Sequence, residues 1–440
     1  MKNTELKEQY SEKIIQEFRI VLDFYRMEYA DDPVALFHEF GCLLIQESGE
    51  KNGAYTDFAP LASYEYRITK NSVRKPLLQV VDDVKELWQE LDADAVFEVV
   101  YAIHELCMKN SPQKGRFVLP GEVTGQLVRI IQAERNRDGL DPIASVFDPQ
   151  YGSGEMLLRA YQDLKPKGNG ENEIAVYGIE NDERLRLSGQ ILTYLAGVKI
   201  KTPKGEFLRE PLRESFDLVL ANPPFGNDNV AFDTSAVSAM TGMRRIRGRY
   251  HLALAGSLLT LKENGSAAVV VPDSFLFLTR KESVELRKWM MNTFQIEMIL
   301  SLPEKTFYPS SVVRTSVVIL NKPFLRSWQG YTEYVLFYRM EGEPGSTQNE
   351  KEYEKLLKIK DDMYRYMDRR PKDPSDANFW FADYRAIEEN EWSLLPEHYR
   401  PMERRELTFE APEQLLKELI GDQKKLLDQM YRLLEEVEDL

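Results

Sequence analysis

Cysteine and histidine are scarce in this chain, and their scarcity removes several kinds of protein from consideration. Cys42 and Cys107 are the only cysteines, too few for a disulfide framework. They do not fall beside His38, His104, His251 or His398 at a zinc-site spacing, so no metal is expected. Long apolar runs are missing as well. No stretch approaches the roughly 20 residues a membrane helix needs, and Met1-Lys2-Asn3-Thr4-Glu5 begins no signal-peptide hydrophobic segment. These absences predict a cytoplasmic protein with no membrane partner. An excess of positive charge is also lacking: 57 Lys and Arg stand against 72 Asp and Glu, a net of −15. Lys and Arg supply most non-specific affinity for nucleic acid by neutralising phosphate. A nucleic-acid substrate would therefore need a local basic patch or a partner to hold it.

What is present divides by pattern. With 440 residues the chain suits two or three domains. Residues 1–111 read as a helical N-terminal domain. Apolar residues recur at helical spacing from Ile14 through Phe18, Val21 and Phe24 to Tyr25, again over 34–44, and over 91–108. From 112 to 340 the period changes. Short Val- and Ile-rich runs at 143–147, 174–179, 216–221, 267–271, 296–302 and 315–320 alternate with helical patterns at 154–164, 183–195, 250–261 and 282–291. That alternation predicts an α/β fold with a doubly wound, mostly parallel sheet. Such sheets bind ligands at the carboxyl ends of their strands, where the strand order reverses. Residues 341–411 are charged and weakly periodic, a wrapping segment or a linker. From Pro412, residues Leu416, Leu419, Leu426, Met430, Leu433, Val437 and Leu440 fall on heptad a and d positions. This C-terminal helix over 412–440 either pairs with a partner or folds back on its own chain.

Three strand ends carry candidate chemistry. The first is Phe147-Asp148-Pro149-Gln150-Tyr151-Gly152-Ser153-Gly154. Gly152 and Gly154 permit a tight turn and a close backbone approach to a ligand, and the helix start behind them favours a polar or anionic group. Asp148 is placed to accept a hydrogen bond or to pair with an ammonium. A Gly-x-Gly turn alone is weak evidence for nucleotide binding. The second is Tyr177-Gly178-Ile179-Glu180. A carboxylate at the tip of strand two accepts from both hydroxyls of a ribose; read otherwise, Glu180 with Asp182 only caps the following helix. The third and strongest is Asn222-Pro223-Pro224-Phe225, directly after a buried strand. The prolines fix the backbone and remove two N–H donors. The Asn222 amide oxygen and the Pro223 carbonyl can then both accept from one exocyclic amine. Its lone pair is left to attack an electrophilic methyl group, while Phe225 offers a flat face to an extruded base. The plain alternative is an Asn-Pro-Pro turn that ends a strand.

With these motifs the chain resembles the S-adenosylmethionine-dependent amino-methyltransferases, and in particular the modification (M) subunit of type I restriction-modification systems. The resemblance covers roughly residues 112–322. It implies that Asp148, Pro149, Gly152, Ser153 and Gly154 hold the methionine part of S-adenosylmethionine. Glu180 then contacts the ribose, and Asn222, Pro223, Pro224 and Phe225 form the target-amine site. It implies methylation of adenine N6 in DNA. The runs Ala267 to Pro272, Leu302-Pro303-Glu304 through Phe307, Thr315 to Lys322, and Trp392-Ser393-Leu394 with Tyr399 also look like this family. There are departures. Gln150-Tyr151 replaces a small pair, and Glu155 replaces a small residue. The element that usually lends a hydroxyl to the cofactor reads Phe117-Val118-Leu119-Pro120, without one. Glu206 is the loosely aligned counterpart of the residue after strand three.

Arg244, Arg245, Arg247 and Arg249 follow the tetrapeptide. They suit phosphate contacts, although a charge run is often only solvated. Two rival readings stand beside adenine methylation. One is a protein glutamine methyltransferase, whose site usually has Tyr where Phe225 stands. The other is a catalytically weak assembly protein that kept the fold. No second globular pattern large enough for target recognition follows Lys322. The resemblance implies a separate specificity (S) subunit, and a restriction (R) subunit in some assemblies; the 412–440 helix is expected to dock on the S subunit.

Overall fold

The computed structural model describes residues 2–29, 32–47, 66–90, 93–111, 119–165, 174–201, 215–225, 235–243, 246, 248–307, 311–323, 334–341, 354, 356, 378–400 and scattered positions between 416 and 430. Among the described residues, four helices open the chain: α1 (Lys2–Glu28), α2 (Pro33–Glu47), α3 (Asn71–Glu90) and α4 (Ala93–Lys109). α3 lies within the region read as helical but outside the periodic stretches named there. Its apolar stripe, Val73, Leu77, Val80, Val81, Val84 and Leu87, is buried at helical spacing, but Lys75, Pro76, Asp82 and Asp83 interrupt it in the sequence.

Among the described residues, nine strands build the sheet: β1 (Ser145–Asp148), β2 (Ala175–Gly178), β3 (Ile200–Lys201), β4 (Phe216–Ala221), β5 (Leu261–Pro272), β6 (Gln295–Ser301), β7 (Thr315–Asn321), β8 (Tyr334–Arg339) and β9 (Phe379–Asp383). Their order is β3-β2-β1-β4-β5-β7-β6-β8-β9. The first five are parallel neighbours, β7 runs antiparallel between β5 and β6, and β6 and β8 are parallel. The chain steps outward from β1 to β3, then returns to lay β4 against the other side of β1. The β1–β4 boundary is therefore the topological switch point, where a doubly wound sheet leaves a crevice.

Within the stretch expected to wrap or link, residues 379–383 instead form the ninth strand, antiparallel to β8. A five-residue aromatic run among charged neighbours is too short to announce itself by period. The turn after the next short helix, α12 (Tyr384–Glu389), is held by Arg287. This guanidinium is almost fully buried and donates to the carbonyls of Trp392, Phe275 and Leu278.

Helices cover both faces, and strand alternation sorts their cores. Val146, Leu218 and Leu220 point to the face shared with α1–α4, α5 (Gly121–Arg137), α6 (Glu155–Leu164) and α7 (Glu183–Leu195). Phe147, Val219 and Ala221 point to the face shared with α9 (Arg249–Leu259), α10 (Asp273–Phe277) and α11 (Lys281–Thr293); α8 is Ser235–Thr241. The N-terminal helices thus share a continuous core with the sheet. Gly41 of α2 lies so close to Ile191 of α7 that a Cβ there would overlap it. A line of buried polar contacts runs along the same seam. His38 Nε2 pairs with Ser188 Oγ at 2.9 Å, and burial, with His104 nearby, lowers the His38 imidazole to about 4. His104 Nδ1 stands 2.6 Å from the Glu155 carboxylate, both side chains sealed from solvent.

Residues 400–440 form a second unit. Its described positions between 416 and 430 are helical, and Leu416, Ile420, Leu427 and Met430 are exposed. The heptad positions Leu419, Leu426, Leu433, Val437 and Leu440 lie outside the described residues. Among the described residues, no helix is long and apolar enough to cross a membrane.

Candidate active site

Asp217, near the start of β4, fixes the β1–β4 pair from below. It accepts from Ala144 N at 3.2 Å and from Ser145 Oγ at 2.8 Å, and takes an ion pair from Lys262 at 2.5 Å. Val146 and Phe147 then sit opposite Leu218 and Val219. This register brings the two sequence motifs, Asp148 and Asn222-Pro223-Pro224-Phe225, to the same edge of the sheet.

Asp148 ends β1 with 2% of its surface exposed. One oxygen accepts from Gln150 N at 2.9 Å. Burial, with Glu180 nearby, raises its carboxyl to about 8. A carboxylic acid so placed gains most from a cationic ligand. The chain then turns through Gly152 at φ +59° and Gly154 at φ +83°, left-handed backbone that favours glycine. A Cβ built on Gly152 meets nothing within 4 Å, so this backbone faces open space. Gly154 caps α6, whose first residue is Glu155.

Glu180 lies just beyond β2 and is half-buried. Its carboxylate accepts from Gly152 N at 3.0 Å and from Asp182 N at 2.7 Å. Both oxygens keep further lone pairs for hydroxyl donors. Asp182, the alternative capping residue, does cap α7, accepting from Arg184 N at 2.9 Å and Leu185 N at 3.3 Å. The two acids have separate duties: Asp182 serves the helix and Glu180 braces the glycine turn. An acid that favours a cation, an acid with free hydroxyl-accepting capacity and a bare glycine backbone suit a ligand bearing an ammonium and paired hydroxyls.

Tyr151 is one of the departures noted in the sequence. Its ring lies in a slot between Gly178 and Gly189, where a Cβ on either glycine would press on the ring. The missing side chains at 178 and 189 leave the room that this ring fills.

The tetrapeptide follows β4 directly. Pro223 is buried, Asn222, Pro224 and Phe225 are half-buried, and Asn222 Oδ1 is sealed from solvent. Phe225 meets Tyr250 edge-on at 6.2 Å and Phe307 at 6.4 Å. Tyr250 had no motif to flag it; only its place at the start of α9, after Gly248, brings it here. Leu119 is buried and Pro120 caps α5. Arg249 opens α9 and is exposed. Phe117, Glu206, Arg244, Arg245 and Arg247 lie outside the described residues. Among the described residues, no group of His, Cys, Asp and Glu is arranged to hold a metal ion.

Comparison with known proteins agrees with this architecture. The family model of N-6 DNA methylases matches residues 94–407. The MjaVII methylase subunit of a type I restriction enzyme from Methanocaldococcus jannaschii is 28% identical over 250 residues, 53% of this chain and 41% of that protein. A type I restriction-modification methyltransferase subunit from Streptococcus thermophilus superposes with a TM-score of 0.61 at 18% identity, covering 89% of this chain and all of that one. A class I S-adenosylmethionine-dependent methyltransferase structure from Listeria monocytogenes gives a TM-score of 0.59 at 16% identity, over 79% and 98% of the two chains. The chain spans between 41% and 59% of the length of three such curated relatives. The sheet therefore has the S-adenosylmethionine-dependent methyltransferase fold.

Proposed function

This chain belongs to the N-6 DNA methylase family, and from that premise we propose that it methylates adenine N6 in DNA as the modification subunit of a type I restriction-modification system. The observation that carries this reading is the meeting of Asp148 and the Asn222–Phe225 tetrapeptide at the switch point of the sheet. S-adenosylmethionine supplies an electrophilic methyl group. Asp148 would pair with its ammonium, Glu180 would accept from its ribose hydroxyls, and Pro149, Gly152, Ser153 and Gly154 would shape the backbone around it. Phe117, Pro120 and Glu206 complete the proposed contacts.

Asn222 Oδ1 and the Pro223 carbonyl accept the two N–H groups of the target amine. Both acceptors draw the hydrogens into their own plane, which leaves the nitrogen lone pair free for in-line attack. No carboxylate base is needed to start the reaction. Phe225 stacks on the extruded base, and Pro224 holds the turn rigid. Arg244, Arg245, Arg247 and Arg249 contact phosphates.

A net charge of −15 leaves most DNA affinity to a partner. That partner is a specificity (S) subunit, with a restriction (R) subunit in the larger assembly. The exposed apolar residues Leu416, Ile420, Leu427 and Met430 support docking of the 412–440 helix on the S subunit. Removing residues 412–440 is expected to abolish co-purification with it; an intact complex after the deletion would remove the helix from that role. The activity itself is tested by transfer of a labelled methyl group from S-adenosylmethionine to DNA by the assembled protein. No transfer by the wild type would overturn it.

A further inference from the structure

Among the described residues, one hydroxyl beside the tetrapeptide is left unused. Tyr250 is 5% exposed, and its ring is enclosed by Phe225 at 6.2 Å, Phe275 at 5.6 Å and His251 at 5.6 Å. Its hydroxyl is sealed from solvent and has no hydrogen-bond partner among the described residues. The adjacent His251 is engaged elsewhere, its Nε2 pairing with Ser283 Oγ at 2.9 Å. Burial alone raises the Tyr250 hydroxyl well above its ordinary range, with no charged neighbour contributing. The group therefore stays protonated and remains a donor.

A buried donor without an acceptor costs stability, and phenylalanine would fill the same space without that cost. Core packing accounts for the ring and not for the oxygen. The acceptor must come from outside the described residues, and the ring contact says where. Tyr250 touches Phe225, the residue on which the proposed substrate base stacks.

We propose that Tyr250 donates its hydroxyl to a ring nitrogen of the extruded adenine, reading the base while Asn222 and Pro223 hold its amine. The inference rests on the reading that the chain methylates adenine in DNA. Phe225 is half-buried between Tyr250 and Phe307. A base stacked on the Phe225 ring would lie beside Tyr250, whose hydroxyl would then meet that base's edge. The ring nitrogens of neutral adenine only accept, which suits a hydroxyl that only needs to give its proton. Tyr250 would thus be a specificity residue that touches substrate, separate from the groups that activate the amine.

The test is Tyr250→Phe in the full chain, assembled with its partner subunit. Melting temperature, S-adenosylmethionine affinity and kcat/KM on duplex DNA carrying the mapped target are measured together. The expected result is a raised melting temperature, unchanged cofactor affinity and a kcat/KM lowered at least tenfold. Duplexes with 1-deaza-, 3-deaza- or 7-deazaadenine at the target position identify the acceptor. One of the three should slow the wild type by a similar factor and slow Tyr250→Phe no further. A stabilised variant with undiminished kcat/KM would overturn the proposal, since the hydroxyl would then be only a packing defect. A lowered melting temperature with lost activity would overturn it too, because the hydroxyl would then serve the fold. Wild-type protein that methylates no adenine would overturn the underlying reading, and this inference with it.

Discussion

The backbone N–H of Gly152 donates to the Glu180 carboxylate across 3.0 Å, so two motifs 28 positions apart in sequence form one piece of structure. Glu180 is both a candidate ligand contact and a brace for the turn. Glu180→Ala leaves the Gly152 and Asp182 N–H groups without this acceptor. Each such charge-assisted bond is worth about 1.5–3 kcal/mol. We expect a lower melting temperature and at least tenfold weaker S-adenosylmethionine binding, with Glu180→Gln intermediate because one carbonyl oxygen remains. Unchanged calorimetric affinity in Glu180→Ala would remove Glu180 from the cofactor site.

Asp148 gives the site a pH dependence whose sign follows from its burial. Its carboxyl titrates at about 8 in the folded chain against an ordinary 3.8. A raised value means that the folded state prefers the protonated form. This contribution to stability is complete below about pH 3.8 and is lost as pH rises through 8. The ligand-free wild type should therefore lose melting temperature between pH 6 and 8 more steeply than Asp148→Asn. A ligand ammonium favours the carboxylate instead. Cofactor affinity should rise from about pH 6 to about pH 7, where a free α-amino group is still mostly protonated, with a proton released on binding. Asp148→Ala should weaken binding at least tenfold, about 1.4 kcal/mol. Calorimetry in buffers of different ionisation enthalpy measures both quantities.

The slot around Tyr151 predicts a rescue. Gly178→Ala puts a methyl group against the Tyr151 ring, which Gly189 confines on another side. Overpacking of this kind costs about 1–3 kcal/mol. The single variant should be destabilised and bind S-adenosylmethionine less tightly, because Tyr151 lies inside the glycine turn. Tyr151→Ala combined with Gly178→Ala should regain much of the loss. Additive destabilisation in urea unfolding would show that the two positions are not coupled.

The sequence exposed those parts of the site that punctuate strand ends. Asp148 with its glycines, Glu180 and Asn222-Pro223-Pro224-Phe225 each stop an apolar run with residues that special backbone geometry requires. The parallel sheet was legible for the same reason, since β1, β2, β4 and β5 are buried runs bounded by breakers. What escaped depends on distant contacts. Tyr250 and Phe307 reach Phe225 only through the topology, and no local pattern marks a ring contact across 25 or more positions. His104 beside Glu155 and Tyr151 between two glycines join residues whose neighbours in sequence say nothing of each other. β9 was hidden by its brevity.

The most direct test of the central claim is a genome-wide map of N6-methyladenine in the native host, carrying either the wild-type chain or Asn222→Ala. The account predicts methylation at one defined sequence in the wild type and its loss in Asn222→Ala. Identical maps from the two strains would contradict it.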